Sequence, residues 1–416
     1  MSDSATGKTN IKTGLVLRIF LPFALGYFLS YVFRVVNAVI APDLVADLGI
    51  NPSELGLVTA SYMIAFASSQ IPLGVMLDRL GPRTVEACFL LFAGAGAALF
   101  AASHSLTGLI AGRALIGFGV SACLMAAFKS YVIWFPARIL SRVNGFQMAA
   151  GGLGALAATL PVQWILEVTD WRGLFWGLSL LSFIAALVVY FVVPASPPGP
   201  EPEKLKVQVR EIIKVFKHPV FWRIAPLSAI SQAGYISIQG LWGGPWLRDV
   251  AGIPREGVAQ YLSWSAMAMV TGFITLGYLA EKLAARGIPV RTTAVAGMAL
   301  FICIQAVMAF ELPLPTPLLM VLFGFLGTSG ILTYTSLTLD FPMALSGRVT
   351  TGINMLVFIA GFAVQWAIGT IINLWDVSAA NTYDPAGYRT ALLALLACQL
   401  AALAWFGICR PRTPEA

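Results

Sequence analysis

Three cations stand inside stretches that are otherwise apolar: Arg34, Arg113 and Lys129. The acids closest to such stretches, Asp43, Glu86, Glu167 and Asp340, fall at their ends. A buried cation of this kind costs at least about 2.5 kcal/mol at the centre of a bilayer unless it finds a partner or water. The simplest relief is an anion that arrives with the cargo. Arg34 offers a planar fork suited to a carboxylate or a phosphate, and Lys129 a point charge on a flexible stem. An arginine satisfied by backbone carbonyls or snorkelling outward is the other reading of Arg34. Arg113 and Lys129 fall on roughly opposite faces of one helix, at about 100° per residue, so they do not share one site.

The elements that must hold these cations are membrane spans. Residues 19–42 are apolar or small except for Arg34 and, at about 1.5 Å per residue, are long enough to cross a hydrocarbon core of roughly 30 Å. Arg34 lies eight residues before Pro42, roughly 12 Å deep at that rise. Of the 416 residues, 58% are hydrophobic and 11% are charged, against roughly 25% charged in soluble domains. Further charge-poor stretches cover residues 55–77, 87–103, 106–135, 143–166, 173–193, 224–247, 257–280, 292–310, 316–339, 349–375 and 390–409. The expected fold is therefore an all-α polytopic membrane protein of twelve transmembrane helices. With the termini in the cytoplasm, 19 of the 26 Lys and Arg fall on cytoplasmic segments and Arg172, Arg248, Arg255 and Arg389 fall outside, a bias that sets the orientation. The first apolar run lacks the cleavage pattern of a secretory signal and is expected to be retained.

Residues 194–223 form the long connection. Pro194, Pro197, Pro198, Pro200 and Pro202 forbid helix at its start, and the mixed-charge part that follows suits a short surface helix. It divides an N-terminal six-helix bundle, residues 1–193, from a C-terminal one, residues 224–416. The halves repeat. Gly74-Val-Met-Leu-Asp78-Arg79 recurs as Gly277-Tyr-Leu-Ala-Glu281-Lys282, Phe135-Pro136 as Phe341-Pro342, Arg142-Val143 as Arg348-Val349, and Gly145, Met148 and Gly154 as Gly352, Met355 and Gly361. A parallel six-span repeat with a substrate site near the midplane between its copies is a transporter architecture.

Residues 74–83, GVMLDRLGPR, resemble the loop signature of the major facilitator superfamily, and Arg113-Ala-Leu-Ile-Gly117-Phe-Gly119 resembles a second motif of that family. Asp170-Trp-Arg172-Gly-Leu-Phe175 is of a type common in it. The resemblance covers essentially the whole chain and implies an alternating-access secondary transporter. It implies a conformational latch at Gly74, Asp78, Arg79 and Arg83, with Asp78 pairing with a nearby arginine or meeting a helix N-terminus in one access state. Arg113 takes a structural or coupling role with them, leaving Lys129 as the ligand candidate. Drug/proton antiporters of the family carry a Gly-Pro pattern in the fifth span, which Gly151-Gly152-Leu-Gly154 and the distant Pro161 match poorly.

The repeat sets Arg34 close to Gln239, where family members that exchange organic phosphates have a second arginine; a neutral amide there favours a singly charged carboxylate. Tyr31, Asn37, Trp242, Asn354 and Gln365, with Gln232 and Tyr235, are candidates to complete the cavity. Related acidic-sugar transporters have an Asp before the first-span arginine, where this chain has Phe33. Proton symport and anion exchange both remain open.

The expected partners are a small anionic substrate, protons or a counter-anion, and the lipid bilayer, for a monomer in a bacterial inner membrane. The five cysteines read as buried small hydrophobes, and the two histidines argue against a zinc site. No cofactor, metal, nucleic acid or enzymatic chemistry is expected. The competing functions are an efflux carrier for hydrophobic or cationic compounds, which predicts an acid in the cavity, and a non-transporting sensor, which predicts soluble appendages.

Overall fold

The computed structural model describes residues 13–195, 205–342, 345–376 and 382–409, and the regular elements among them are helices. Pro197, Pro198, Pro200 and Pro202 of the linker and both ends of the chain lie outside these residues. Ten helices are long and apolar enough to cross a membrane. One of these, Pro52–Ala102, is two spans joined at a kink where Gly81 has φ 76°, a left-handed conformation that glycine adopts without steric cost. The seventh span is composite: Pro219–Ser237, a π-turn at Ile238–Trp242, and Gly243–Asp249. Twelve spans result among the described residues.

Interruptions recur in corresponding spans. The first breaks between Thr13–Val35 and Asn37–Leu48, and the seventh at its π-turn. The fourth breaks between Leu106–Val120 and Cys123–Trp134, and the tenth at the 3-10 turn Thr328–Ile331. Breaks of this kind free backbone groups and re-aim side chains, which an unbroken helix cannot do.

The arginine-glycine motif of the fourth span has a packing reason. A Cβ on Gly117 would stand 2.1 Å from the Tyr62 carbonyl oxygen, and one on Gly119 would stand 2.2 Å from the Ala93 nitrogen. The fourth span therefore touches the second and third backbone to backbone, a closeness that gives helices their cohesion where lipid removes the hydrophobic drive. The Asp170 motif is a staple. Asp170 caps the sixth span by accepting from Gly173 N, while Arg172 donates to Ala101 O, Ser103 O and Asp47.

Large apolar side chains such as Leu91, Trp176, Leu180 and Phe191 face outward, as lipid-facing positions require. The cysteines follow the same division and correct the expectation that all are buried: Cys123 is, while Cys88, Cys303 and Cys398 are exposed and Cys409 is half-buried. The helix Leu205–Lys217 lies along one end of the bundle, the linker face, burying Ile212 and Val215 and accepting an Arg348 bond at Glu211.

The two halves of the chain close on each other at the opposite, far face. Arg255 pairs with Asp43, Gln163 donates to Glu256 O at 3.0 Å, and the Ser53 and Thr370 hydroxyls lie 3.2 Å apart. Backbones also cross directly, with Gly244 against Ala38 O and Gly369 against Pro52 O. Arg255 of this pair is exposed and Asp43 half-buried, and ion pairs at a surface contribute about 0–1 kcal/mol. Asp43→Asn is accordingly expected to change far-face closure by no more than about fivefold, read as the labelling rate of a cysteine placed at Gln163.

Candidate functional site

Arg34 is the penultimate residue of the first helix segment, directly before the break, and Gln239 lies inside the π-turn of the seventh span. These irregular segments touch, because a Cβ on Gly240 would stand 3.1 Å from the Arg34 carbonyl oxygen. Arg34 and Gln239 line one cavity of about 330 Å³ between the two halves, together with Tyr31, Asn354, Gln232 and Tyr235. From these midspan breaks it runs toward the linker face, where Phe128 and Thr350 belong to its wall.

Most of the lining is apolar and adaptable: Met125, Met148, Met269, Phe66, Phe273 and Phe358. Arg34 is the one charged side chain among the described lining residues. Its guanidinium carbon lies 4.5 Å from the Tyr31 ring centre, 5.2 Å from Phe358 and 5.6 Å from Phe66. Aromatic faces attract a cation by about 0.5–2 kcal/mol each; they fix the group without neutralising it. Among the described residues no carboxylate pairs with Arg34, and its buried Nε lacks a hydrogen-bond partner.

The polar side of the cavity is a relay across the halves. Tyr334 Oη donates to Asn354 Oδ1 at 3.1 Å, and Asn354 Nδ2 donates to Gln70 Oε1 at 3.1 Å. Gln239 Nε2 donates to the Met269 sulfur at 3.3 Å, a weak acceptor that a ligand oxygen would displace. Gln232 donates to Gly327 O, and the Tyr235 hydroxyl is buried without a partner. Gln70, Tyr334 and Tyr27 were not singled out from the sequence. Gln70 carries a signal, an amide within an apolar span; the tyrosines are indistinguishable by type from interfacial anchors.

Three expected cavity residues sit elsewhere. Asn37, just past the break, donates to Thr59 Oγ1 at 2.9 Å and braces the first span on the second. Trp242 donates to Gln365 O at 3.0 Å, and its ring packs where Gly56 and Gly369 leave room. The Gln365 amide is fully buried with no partner for either end. Trp242 and Gln365 belong to the far-face closure and Asn37 to the packing of the first span on the second, rather than to the lining.

Lys129 is also placed differently from the expectation. Its ammonium is ion-paired with Asp78, the loop aspartate after the second span, and is half-exposed near the linker face. Its counterion is thus built in, because the fourth span runs past the Gly81 turn and a long stem reaches across. Arg83 donates to Val193 O at 3.3 Å and stacks on Tyr190, Arg79 is exposed, and Gly74 is half-buried. Arg113 is buried and donates to Phe33 O at 3.0 Å, bracing the backbone immediately ahead of Arg34. Lys129→Ala is therefore expected to leave substrate affinity within about twofold of wild type while slowing turnover, since only the loop contact is lost; equilibrium binding beside uptake rate separates the two.

Glu86 is the second correction among the charged groups. Expected at a span end, it is fully buried inside the first half.

Residues 23–365 match the sequence model of the Major Facilitator Superfamily. The probable sulfoacetate transporter of Cupriavidus necator is 23% identical over 379 residues, 86% of each chain. The hexuronate transporter of Escherichia coli K12 is 30% identical over 163 residues, 39% of this chain and 38% of its own. Among solved structures, a bacterial homolog to the human lysosomal transporter Spinster, inward-facing and unoccupied, has a TM-score of 0.77 at 18% identity, covering 96% of this chain and 97% of that one.

Proposed function

The chain belongs to the Major Facilitator Superfamily, and from that premise we propose that it is an uptake carrier for a small organic anion, with a monocarboxylate the best fit. The observation that carries this reading is the guanidinium of Arg34, without a carboxylate partner and the one charge among the described lining residues of a mostly apolar cavity. A bound carboxylate would accept two parallel bonds from the fork. Gln239 on the opposite half adds a neutral donor, enough for one charge and poor for a dianion. Thioether and aromatic walls suit a hydrocarbon or ring body, so the anion is organic rather than inorganic. Relatives named for sulfoacetate and hexuronate transport, both organic acids, support the class.

On the positive-inside reading the linker face is cytoplasmic, in a bacterial inner membrane. A sealed far face with a cavity running to the linker face is then the inward-open arrangement, the state named for the Spinster homolog. Transport is the rocking of the six-span halves, residues 1–193 and 224–416, about the site. The Asp78–Lys129 pair holds the Gly81 turn on the fourth span in this state, as a latch would.

The test is uptake by proteoliposomes from a panel of labelled carboxylates, sulfonates, phosphate esters and neutral or cationic analogues. Monocarboxylates should be taken up at least tenfold faster than the neutral isosteres. Transport confined to neutral or cationic compounds would overturn the reading.

A further inference from the structure

We propose that Glu86 is the proton-binding site that couples this carrier to the proton gradient, in a pocket of the first half separate from the substrate cavity. The proposal rests on the carrier reading above and adds the coupling ion and its residue. Glu86 is fully buried in the third span, five residues past the Gly81 turn, and neither carboxyl oxygen has a hydrogen-bond partner. The site is built by an omission on the first span: a Cβ on Gly26 would stand 2.1 Å from Glu86 Oε1 and 3.6 Å from the Cys123 sulfur. Gly26 is thus the notch into which the carboxyl fits.

The titratable groups that face it come from the fourth span, Cys123 and Tyr131. Neither supplies a positive charge, and Tyr131 donates its hydroxyl to Gln147 Oε1 at 2.7 Å. The first span contributes Gly26, and its two cations, Arg18 and Arg34, each lie eight residues away, one on either side, about 12 Å at helical rise. An ionised carboxylate without a partner in such a pocket costs several kcal/mol, so the pocket holds the neutral acid. Packing alone does not call for an acid here, since a leucine would fill the space without burying an unpartnered polar group.

Loading is the addition of one proton to a carboxylate oxygen and release its departure to water; no bond between heavy atoms changes. The carboxyl lies behind the wall that carries Arg34, and the same first span borders both sites. Movement of this span when the anion binds therefore changes the space around Gly26. Deprotonation needs water, and the linker-face end of the third span starts at the Gly81 turn, just after Asp78, which is paired with Lys129 of the fourth span.

The proposal is tested on the whole protein by two measurements. Infrared spectra of purified wild type and Glu86→Gln, taken across pH, should show a protonated-carboxyl band at neutral pH that is missing from the variant. Absence of that band in wild type, or its survival in Glu86→Gln, overturns the proposal whatever the cargo is. In proteoliposomes holding a labelled carboxylate, Glu86→Gln should keep exchange across the membrane within about threefold of wild type while losing at least tenfold of the accumulation driven by an inward proton gradient. Gradient-driven accumulation that is unchanged in Glu86→Gln overturns it equally. A band that behaves as expected in a protein that moves no carboxylate leaves the proton site standing and removes the cargo reading instead.

Discussion

Arg34→Ala is expected to weaken carboxylate binding by at least a hundredfold and to bring uptake to background. Removing one partner of a desolvated, hydrogen-bonded charge pair costs about 2–5 kcal/mol, and about 1.4 kcal/mol is a factor of ten. The low end is a loss of some thirtyfold and the high end of several thousandfold. A cavity whose described lining is mostly apolar and provides no second cation belongs toward the high end. Arg34→Lys keeps the charge and loses the fork, so binding is expected to fall about tenfold while uptake stays measurable. The fold should tolerate both variants, because Arg34 pairs with no carboxylate among the described residues and packs against the rings of Tyr31, Phe66 and Phe358. Titration calorimetry on detergent-solubilised protein, with thermal unfolding as the control, checks the series. If Arg34→Ala binds the carboxylate within threefold of wild type, the guanidinium is not the anchor.

The second large effect is expected at a position that touches no ligand. Gly244→Val should stop the transport cycle, with uptake reduced more than tenfold and the far face held open. A Cβ there would stand 2.1 Å from the Ala38 carbonyl oxygen, a clash against backbone that no side-chain rotation relieves. The crossing joins the first and seventh spans, one from each half, just beyond the breaks that position Arg34 and Gln239. In the arrangement that opens the far face these spans separate, and the valine then fits. The variant selects that arrangement by destabilising its alternative. A cysteine placed at Gln163 should become labelled from the far side at least tenfold faster than in the wild-type background, whereas Asp43→Asn changes it only slightly. Normal uptake by Gly244→Val would mean that far-face closure is not part of the cycle.

Arg34 was legible as a charge without a counterion, and Gln239 as its counterpart, because offsets within the chain align the two halves before any coordinates are known. The structure adds that each residue sits at an irregular turn of its span, which a hydropathy pattern does not reveal. Lys129 shows where the reading from sequence stopped. Whether a cation in an apolar stretch has a partner depends on which other span passes beside it, and Asp78 becomes that partner only through the turn at Gly81. Glu86 shows the converse. The sequence put it at the end of a charge-poor stretch, yet it is buried against Gly26 and Cys123. Trp242 and Gln365 are polar residues in apolar spans, as lining residues are, and the close crossings at Gly56 and Gly369 put them in the seal instead.

By itself the sequence determined what depends on composition and order along the chain: that the chain spans a membrane twelve times, that its halves repeat, and that a cation without a nearby acid stands in the first span. These follow from the cost of placing charge and unpaired backbone in hydrocarbon, a local property of each segment. Only the tertiary structure decided which charges are neutralised, which amides face the cavity and which end of the bundle is closed. Those answers depend on distances between residues of different spans, and a few glycines that let backbones touch set these distances more than any periodicity does.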